Sequence, residues 1–199
     1  MEKRKTPIIY TLSGEANCGK DYGAKVMKEY LESKGNKVLV LAYADFLKSI
    51  CARNYGYDPQ DKENGRKILQ IFGTDVVRTC NDRIWVDTVW NFIDSISTIF
   101  DYFIITDARY ENEIRPFPFI LSYPIFAIKI KTGEKFKTKL SKECYEHSSE
   151  SLSHKDNTEL FDFVITNNRD KGFEKGLHLI IDTIINVSVG YDIENEKDN

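Results

Sequence analysis

Short apolar runs alternate with longer amphipathic stretches along most of this chain. Five of the runs are rich in β-branched and aromatic residues, and their length and composition predict buried strands. They cover residues 7–13, 37–43, 101–107, 125–131 and 162–167. Apolar strands that alternate with helices are typical of a parallel sheet, so the pattern predicts an α/β fold.

Between these runs, apolar residues recur three and four positions apart, which predicts amphipathic helices. The predicted helices cover residues 20–34, 44–56, 66–80, 83–97 and 173–187. The first helix should end at Gly35, and the segment from Asp58 through Gly65 is predicted to be a polar loop. Three prolines between residues 116 and 124 should interrupt regular structure there.

The 199 residues suit one domain that spans the whole chain. Within it, residues 44–97 form a long, mostly helical region. Residues 132–158 are polar and rich in Lys, Glu and Ser, with little apolar periodicity. That composition predicts a small mobile lid. The alternating strands and helices predict the rest of the domain, a five-stranded parallel sheet with helices on both faces in a three-layer arrangement.

Composition and charge narrow the classes of partner. The 28 basic and 31 acidic side chains sum to −3, so no global field attracts a nucleic acid polymer and any anion site must be local. No apolar run has membrane-spanning length, and the run after the basic start is too short for a secretion signal. The four cysteines lack metal-like spacing, which predicts free thiols in a reducing, cytoplasmic setting; they are Cys18, Cys51, Cys80 and Cys144.

The stretch after the first predicted strand has the spacing of a phosphate-binding loop. Gly14 is followed after four residues by Gly19 and Lys20, where a predicted helix begins. Glycines let the backbone approach phosphates, and the N–H groups of a helix N-terminus attract anions. The motif predicts a nucleotide site formed by Gly14, Ala16, Asn17, Cys18, Gly19, Lys20, Asp21 and Tyr22. The alternative is an ordinary glycine-rich turn with an exposed lysine.

Two aspartates are candidate ligands of Mg²⁺. Asp21 occupies the position where this motif normally carries Ser or Thr, and its carboxylate could hold Mg²⁺ directly or through water. Asp107 ends the third predicted strand, at the edge where parallel sheets present their ligands. The alternative for Asp107 is a cap on the helix that follows it.

Five segments, in the same order, resemble the bacteriophage-type deoxynucleoside monophosphate kinases, which belong to the P-loop nucleoside monophosphate kinase superfamily. The segments are GKD at 19–21, YADFLK at 43–48, LQIFGTDVVR with IWV at 69–78 and 84–86, ITDARYENE at 105–113, and HSSESL with DFVITNN at 147–152 and 162–168. GKD also occurs in animal-type phosphomevalonate kinases. Glu15 and Tyr22 depart from the usual loop, and residues 114–145 match no segment.

The resemblance implies a P-loop NTPase fold that uses ATP and Mg²⁺ to convert deoxynucleoside monophosphates into diphosphates. Lys20 would contact the donor phosphates. Arg78 and Arg109 would hold the acceptor phosphate or the transferring group, because the reaction brings two polyanions together. For Arg78 the alternative is a surface pair with Asp82. A homodimer is expected from family habit, and a virus-encoded origin fits the resemblance.

The resemblance also implies a set of acceptor contacts in the helical region and the lid. They are Asp45, Lys48, Gln70, Gly73, Thr74, Asp75, Arg78, Trp85, Arg109, Asn112, Glu113, His147, Ser149 and Glu150. Asp45 could equally be the N-cap of the helix that follows it. Trp85 could stack on a base, although its helical spacing fits a core position better.

Two other functions remain open from the sequence. One is a kinase of a small acidic acceptor, similar to phosphomevalonate kinase, and the other is a nucleotide-binding protein without catalysis. The segment from Leu69 to Val86 favours a nucleotide acceptor. Residues 116–168 contain no arginine, so a lysine would have to replace any arginine of the lid, and lysine is the poorer planar clamp.

Overall fold

A single five-stranded parallel sheet organises the protein in a computed structural model that describes residues 6–136 and 158–197. The strands are β1 (Ile8–Ser13), β2 (Val38–Leu41), β3 (Tyr102–Ile105), β4 (Ile125–Thr132) and β5 (Phe163–Asn167). Their order across the sheet is β2-β3-β1-β4-β5. The five predicted strands and their parallel arrangement are confirmed.

The central position of β1 could not be read from the order of elements along the chain. The β1 and β2 strands are parallel, but they do not pair with each other. Instead, Tyr102 of β3 lies between them, in register with Ile8 on one side and Val38 on the other. This insertion places the end of β1 next to the end of β3, and it thereby brings the glycine-rich loop close to Asp107.

Helices cover both faces of the sheet, as a three-layer α/β fold requires. The helices are α1 (Lys20–Ser33), α2 (Ala44–Asn54), α3 (Lys62–Gln70), α4 (Ile84–Ile96), α5 (Glu111–Ile114) and α6 (Lys171–Lys197). Alternate residues of β1 point to opposite faces: Tyr10 packs in the cluster beneath α1 and α6, and Ile9 packs in the cluster beneath α2 and α4.

The predicted loop between Asp58 and Gly65 is wrong at its second half, where α3 begins. Asp61 is the N-cap of this helix, and its side chain accepts a hydrogen bond from the backbone N–H of Asn64 at 3.1 Å. Gly65 inside α3 packs so closely against Tyr57 that an added Cβ would lie 3.1 Å from its ring. Glycine is therefore present here for close packing and does not mark a turn.

The helix predicted over residues 66–80 corresponds to the second half of α3 followed by a π-helix, Ile71–Arg78. A π-helix has wider turns than an α-helix, and such segments frequently occur at functional sites. In the described segments, no helix combines the length and apolarity needed to cross a bilayer. Cys18, Cys51 and Cys80 are free thiols, as predicted, and Cys144 lies outside the described residues.

Candidate active site

The loop between β1 and α1 has an unusual backbone at three positions. Gly14, Asn17 and Gly19 have φ angles of 149°, 61° and 99°, values that residues other than glycine and asparagine rarely adopt. A Cβ at Gly14 would lie 2.2 Å from the carbonyl oxygen of Ile130 on β4. Glycine at position 14 is thus required both by conformation and by close approach.

Lys20 begins α1 and lies back across this loop. Its Nζ donates hydrogen bonds to the carbonyl oxygens of Gly14 at 2.7 Å and Glu15 at 2.8 Å. The ammonium group is therefore held at the loop, next to the N-terminus of α1, where the helix dipole adds partial positive charge. This arrangement is the one expected for a lysine that contacts donor phosphates, which remains a prediction.

Asn167 at the end of β5 fixes the loop from beneath. Its buried Nδ2 donates to the carbonyl oxygen of Cys18 at 3.0 Å, and its Oδ1 accepts from the backbone N–H of Arg169 at 2.8 Å. Sequence reasoning missed this residue. The available signal was an asparagine at the end of an apolar strand, next to the predicted ligand edge of the sheet.

Side chains of the loop divide into those that face the protein and those that face solvent. Cys18 is buried, so that its backbone alone could meet a phosphate, whereas Ala16 is half-buried and Asn17 is exposed. The predicted nucleotide contact of Tyr22 is not supported by its position. Its hydroxyl donates to Glu174 and its ring stacks on Phe173, so Tyr22 connects α1 to α6.

One cavity of about 410 Å³ opens between the start of α1, the end of β3 and the helices of the 44–97 region. Nine predicted site residues line it: Asp21, Gln70, Gly73, Thr74, Arg78, Trp85, Asp107, Arg109 and Glu113. Lining residues that the sequence did not identify include Tyr57, Asp58, Asp61, Lys62, Arg66 and Tyr110. The cavity thus joins the end of the glycine-rich loop to a wall that carries both predicted arginines.

Asp107 caps a helix, but not the helix proposed from the sequence. Its Oδ1 accepts from the backbone N–H of Tyr43 at 2.7 Å, and its Oδ2 accepts from Ala44 at 3.0 Å, at the start of α2. Removal of water raises the pKa of the Asp107 carboxyl, and these hydrogen bonds oppose the shift. Each oxygen keeps further lone pairs that could face the cavity.

Arg78 and Glu113 form a buried ion pair in the cavity wall. Arg78 Nη2 donates to Glu113 Oε1 at 2.6 Å, and the two side chains are 8% and 5% exposed. The guanidinium carbon of Arg78 lies 3.8 Å from the ring centroid of Tyr110. The surface pair between Arg78 and Asp82, the alternative proposed from the sequence, is therefore wrong.

Glu113 also holds the backbone around Arg109. Its Oε2 accepts from the N–H groups of Arg109 at 2.7 Å and Tyr110 at 3.2 Å. Burial raises the pKa of the Glu113 carboxyl to about 7, against the opposing influence of the Arg78 guanidinium. A direct substrate contact was implied for Glu113, which lines the cavity, but its described contacts are with protein donors and its side chain is only 5% exposed.

The π-helix and α4 form the other side of the cavity. Trp85 is 5% exposed and donates its indole N–H to the carbonyl oxygen of Gly73 at 3.0 Å, so it is both a core residue and part of the cavity wall. Thr74 Oγ1 lies 3.3 Å from the hydroxyl of Tyr110. The buried Nε2 of Gln70 has no hydrogen-bond partner in the described protein.

Four predicted acceptor contacts do not line the cavity. Asp45 is exposed on the first turn of α2, where it pairs with Lys48 at 3.5 Å and accepts from the N–H of Ala42, so it is not the N-cap either. Asp75 faces away from the cavity on the exposed side of the π-helix. Asn112 donates to the carbonyl oxygen of Asp82 at 3.2 Å.

The lid predictions lie largely outside the described residues. His147, Ser149 and Glu150 belong to that segment, as does most of the predicted lid at 132–158. The described ends of the lid are the last residue of β4, Gly133, a short turn at Glu134–Phe136, and Thr158.

Comparison with known proteins identifies the family. A sequence model described as deoxynucleotide monophosphate kinase matches residues 43–170, which is more than half of the chain. The chain belongs to the deoxynucleotide monophosphate kinase family. The match covers the cavity wall that carries Arg78, Asp107 and Arg109, whereas the glycine-rich loop precedes it.

A deoxynucleotide monophosphate kinase of Escherichia phage RB69 is 30% identical to this family member over 96 residues. That alignment covers 45% of this chain and 39% of the phage protein, so it spans well under half of the relative's length. The resemblance to the phage-type kinases proposed from the sequence is confirmed at the level of the family.

Solved structures confirm the P-loop kinase fold of this family member. The APS kinase CysC of Mycobacterium tuberculosis matches with a TM-score of 0.50 at 12% identity, over 90% of this chain and 97% of that one. A protein of Chloroflexus aurantiacus, provisionally described as a kinase, matches with a TM-score of 0.51 at 10% identity, over 93% and 99% of the two chains. At such low identity, these similarities concern the fold alone.

Proposed function

We propose that this protein transfers the γ-phosphoryl group of ATP to the phosphate of a deoxynucleoside 5′-monophosphate. The observation that carries the proposal is the cavity that joins the end of the glycine-rich loop, at Asp21, to Arg78, Arg109 and Asp107. A donor and an acceptor phosphate could meet there, between cationic groups on one side and the N-terminus of α1 on the other. Membership in the family supports the same reaction.

The donor phosphates would lie on the loop from Gly14 to Gly19. Lys20, held by two loop carbonyl groups, would supply the positive charge that the ATP phosphates need. Such a loop binds phosphates through its backbone, so the departures at Glu15 and Tyr22 remain compatible with ATP binding.

The acceptor would occupy the cavity, whose volume of about 410 Å³ is within the range typical of small-molecule sites. Arg78 and Arg109 would hold its phosphate, because guanidinium groups bind phosphate oxygens in a bidentate manner. Tyr57, Gln70 and Trp85 line the remaining space and would surround the nucleoside.

In the chemical step, an oxygen of the acceptor phosphate forms a bond to the γ-phosphorus of ATP. The bond from that phosphorus to the bridging oxygen breaks, and ADP leaves with its electron pair. The chain needs no general base, because the acceptor oxygen is already largely anionic at about pH 7. Positioning and neutralisation of charge by Lys20, Arg78 and Arg109 would carry the catalysis.

Asp21 and Asp107 would hold Mg²⁺, directly or through water. Both line the cavity, and the described residues contain no group of three or more carboxylates, thiolates or imidazoles that could enclose a metal. This donor set fits Mg²⁺, which is usually bound by one or two carboxylates together with substrate phosphates. The ion would neutralise the phosphates and offset the repulsion between them and Asp21.

A coupled ADP-release assay tests the proposal. It would compare the four deoxynucleoside monophosphates, AMP, GMP and phosphomevalonate, each with ATP and Mg²⁺. We expect turnover with at least one deoxynucleotide, a loss of at least about a hundredfold in Lys20→Ala, and full activity in Lys25→Ala. Lys25 is the matched control because it is exposed on α1, paired with Glu29.

Other outcomes would favour the alternatives. Turnover with phosphomevalonate alone would contradict the proposed acceptor and favour a small-molecule kinase. ATP binding without turnover of any acceptor would favour a nucleotide-binding protein that lacks catalysis. Homodimerisation and a cytoplasmic location remain predictions, which sedimentation and cell fractionation would test.

A further inference from the structure

Glu113 is the point at which the two arginines of the cavity wall are connected. Its Oε1 accepts from the Arg78 side chain at 2.6 Å, and its Oε2 accepts from the backbone N–H of Arg109 at 2.7 Å. The residue is 3% exposed, so these hydrogen bonds are shielded from water. One carboxylate therefore sets the orientation of one arginine and the backbone position of the other.

The surroundings of Glu113 fix the carboxylate itself. Its backbone carbonyl oxygen accepts from the hydroxyl of Tyr43 at 2.9 Å, and that hydroxyl accepts from the indole N–H of Trp90 at 2.9 Å. Tyr110, whose N–H also donates to Oε2, places its ring 3.8 Å from the guanidinium carbon of Arg78. Arg78 is thereby held on one edge by a carboxylate and on one face by an aromatic ring.

We infer that Glu113 is a positioning residue that aligns Arg78 and Arg109 as one clamp for the acceptor phosphate. The inference rests on the proposed function, because it assigns the two arginines to that phosphate. Glu113 acts through the arginines and not on the substrate, since its side chain is only 5% exposed and is directed at Arg78 and at the backbone N–H groups of Arg109 and Tyr110. A clamp whose parts are aligned before binding loses less entropy when the phosphate arrives.

A purely structural role and a direct nucleoside contact make different predictions from this one. A structural role would change stability and affect all ligands equally. A contact with sugar or base would change the affinity for the nucleoside whether or not it carries a phosphate. The clamp predicts a loss that depends on the phosphate of the acceptor and spares ATP.

The test measures equilibrium binding of each deoxynucleoside monophosphate and of the matching deoxynucleoside without phosphate, by ligand-observed NMR titration. In Glu113→Gln we expect the affinity for the monophosphate to fall at least about tenfold, the effect of one charge-assisted hydrogen bond. The affinities for the deoxynucleoside and for ATP should stay within about twofold of the wild type. ATP binding also shows that the variant is folded.

Two further variants keep the test decisive. Glu111→Gln, on the exposed side of the same short helix, is the matched control and should bind like the wild type. Glu113→Asp keeps the charge but withdraws the carboxylate by about one carbon–carbon bond, or ~1.5 Å. It should give a smaller, equally phosphate-dependent loss even where Glu113→Gln does not fold.

Equal losses for monophosphate and deoxynucleoside, or no loss for the monophosphate, would overturn the inference. Turnover by the wild type combined with either result would leave the proposed function standing. Wild-type binding of a monophosphate that depends on Glu113, without turnover, would uphold the clamp and contradict the proposed function. Binding of none of the four monophosphates by the wild type would contradict both.

Discussion

At the scale of single residues, the site places charged groups where water is largely removed. Arg78 and Glu113 form their ion pair in the cavity wall with side chains at most 8% exposed. Breaking such a pair leaves one buried charge without compensation, which typically costs about 3–5 kcal/mol. Substitution of either partner alone should therefore destabilise the protein as well as alter the geometry of the cavity wall.

Protonation of Glu113 should make the stability of the protein depend on pH. Its pKa is about 7 in the folded protein and 4.5 ordinarily, so between these values the folded state binds a proton that the unfolded chain has released. The stability contributed by this group must therefore fall as pH rises through that window. As the pH rises from 4.5 to about 7, we therefore expect the free energy of unfolding of the wild type to decrease relative to that of Glu113→Gln.

Urea unfolding of both proteins at several pH values from about 4.5 to about 8 measures this difference. The comparison with Glu113→Gln is needed because the pKa of Asp107 is also raised and contributes with the same sign. A difference that stays constant, or that increases with pH, would contradict the account of Glu113.

Asn167 should control ATP binding through the loop that it supports. Asn167→Ala removes the donor to the Cys18 carbonyl group, and an unpaired buried acceptor costs about 1–3 kcal/mol. We expect the affinity for ATP to fall about tenfold while the affinity for the acceptor stays within about twofold. Isothermal titration calorimetry checks both values, with the exposed Asn168→Ala as control. Equal losses in the two variants would contradict a specific role of Asn167.

At the scale of elements, the strands could be predicted and the π-helix could not. The β1 strand is apolar on both faces because helices cover both sides of the sheet, so a local run of residues identifies it. The spacing that predicted one helix over residues 66–80 does not distinguish α-helical from π-helical turns. Gly65 was misleading for a similar reason, since its contact with Tyr57 belongs to the tertiary structure.

The π-helix should be sensitive to the volume at Gly73. A Cβ there would lie 2.4 Å from Cδ2 of the buried Leu47, so the Leu47 side chain, the π-helix or α2 would have to move. Overpacking costs about 1–3 kcal/mol, against a gain of about 1 kcal/mol for alanine over glycine in a helix. We expect Gly73→Ala to be less stable than the wild type and to bind the acceptor more weakly.

Thermal unfolding and acceptor titration measure these two effects. Val76→Ala is the matched control, because Val76 is 51% exposed on the same π-helix. An increase in the melting temperature of Gly73→Ala, with unchanged acceptor affinity, would contradict the expectation that a larger residue at position 73 overpacks against Leu47.

At the scale of the whole molecule, the site forms where segments distant in sequence meet at the carboxyl edge of the sheet. Sequence patterns predicted Lys20, Asp107 and Arg109 as site residues, because each follows a strand or a motif closely. They did not identify the partner of Arg78, which lies 35 residues away, or the support given by Asn167 from the far end of the chain. Spacing reports local neighbours, whereas these contacts depend on the order of the strands.

Transfer of a labelled phosphoryl group tests the central claim most directly. The protein would be incubated with ATP labelled at the γ-phosphate and each deoxynucleoside monophosphate, and the products separated by chromatography. We predict that the label appears in a deoxynucleoside diphosphate in the wild type and in Lys25→Ala, and not in Lys20→Ala. Label found only in inorganic phosphate, or remaining in ATP with every acceptor, would contradict the account.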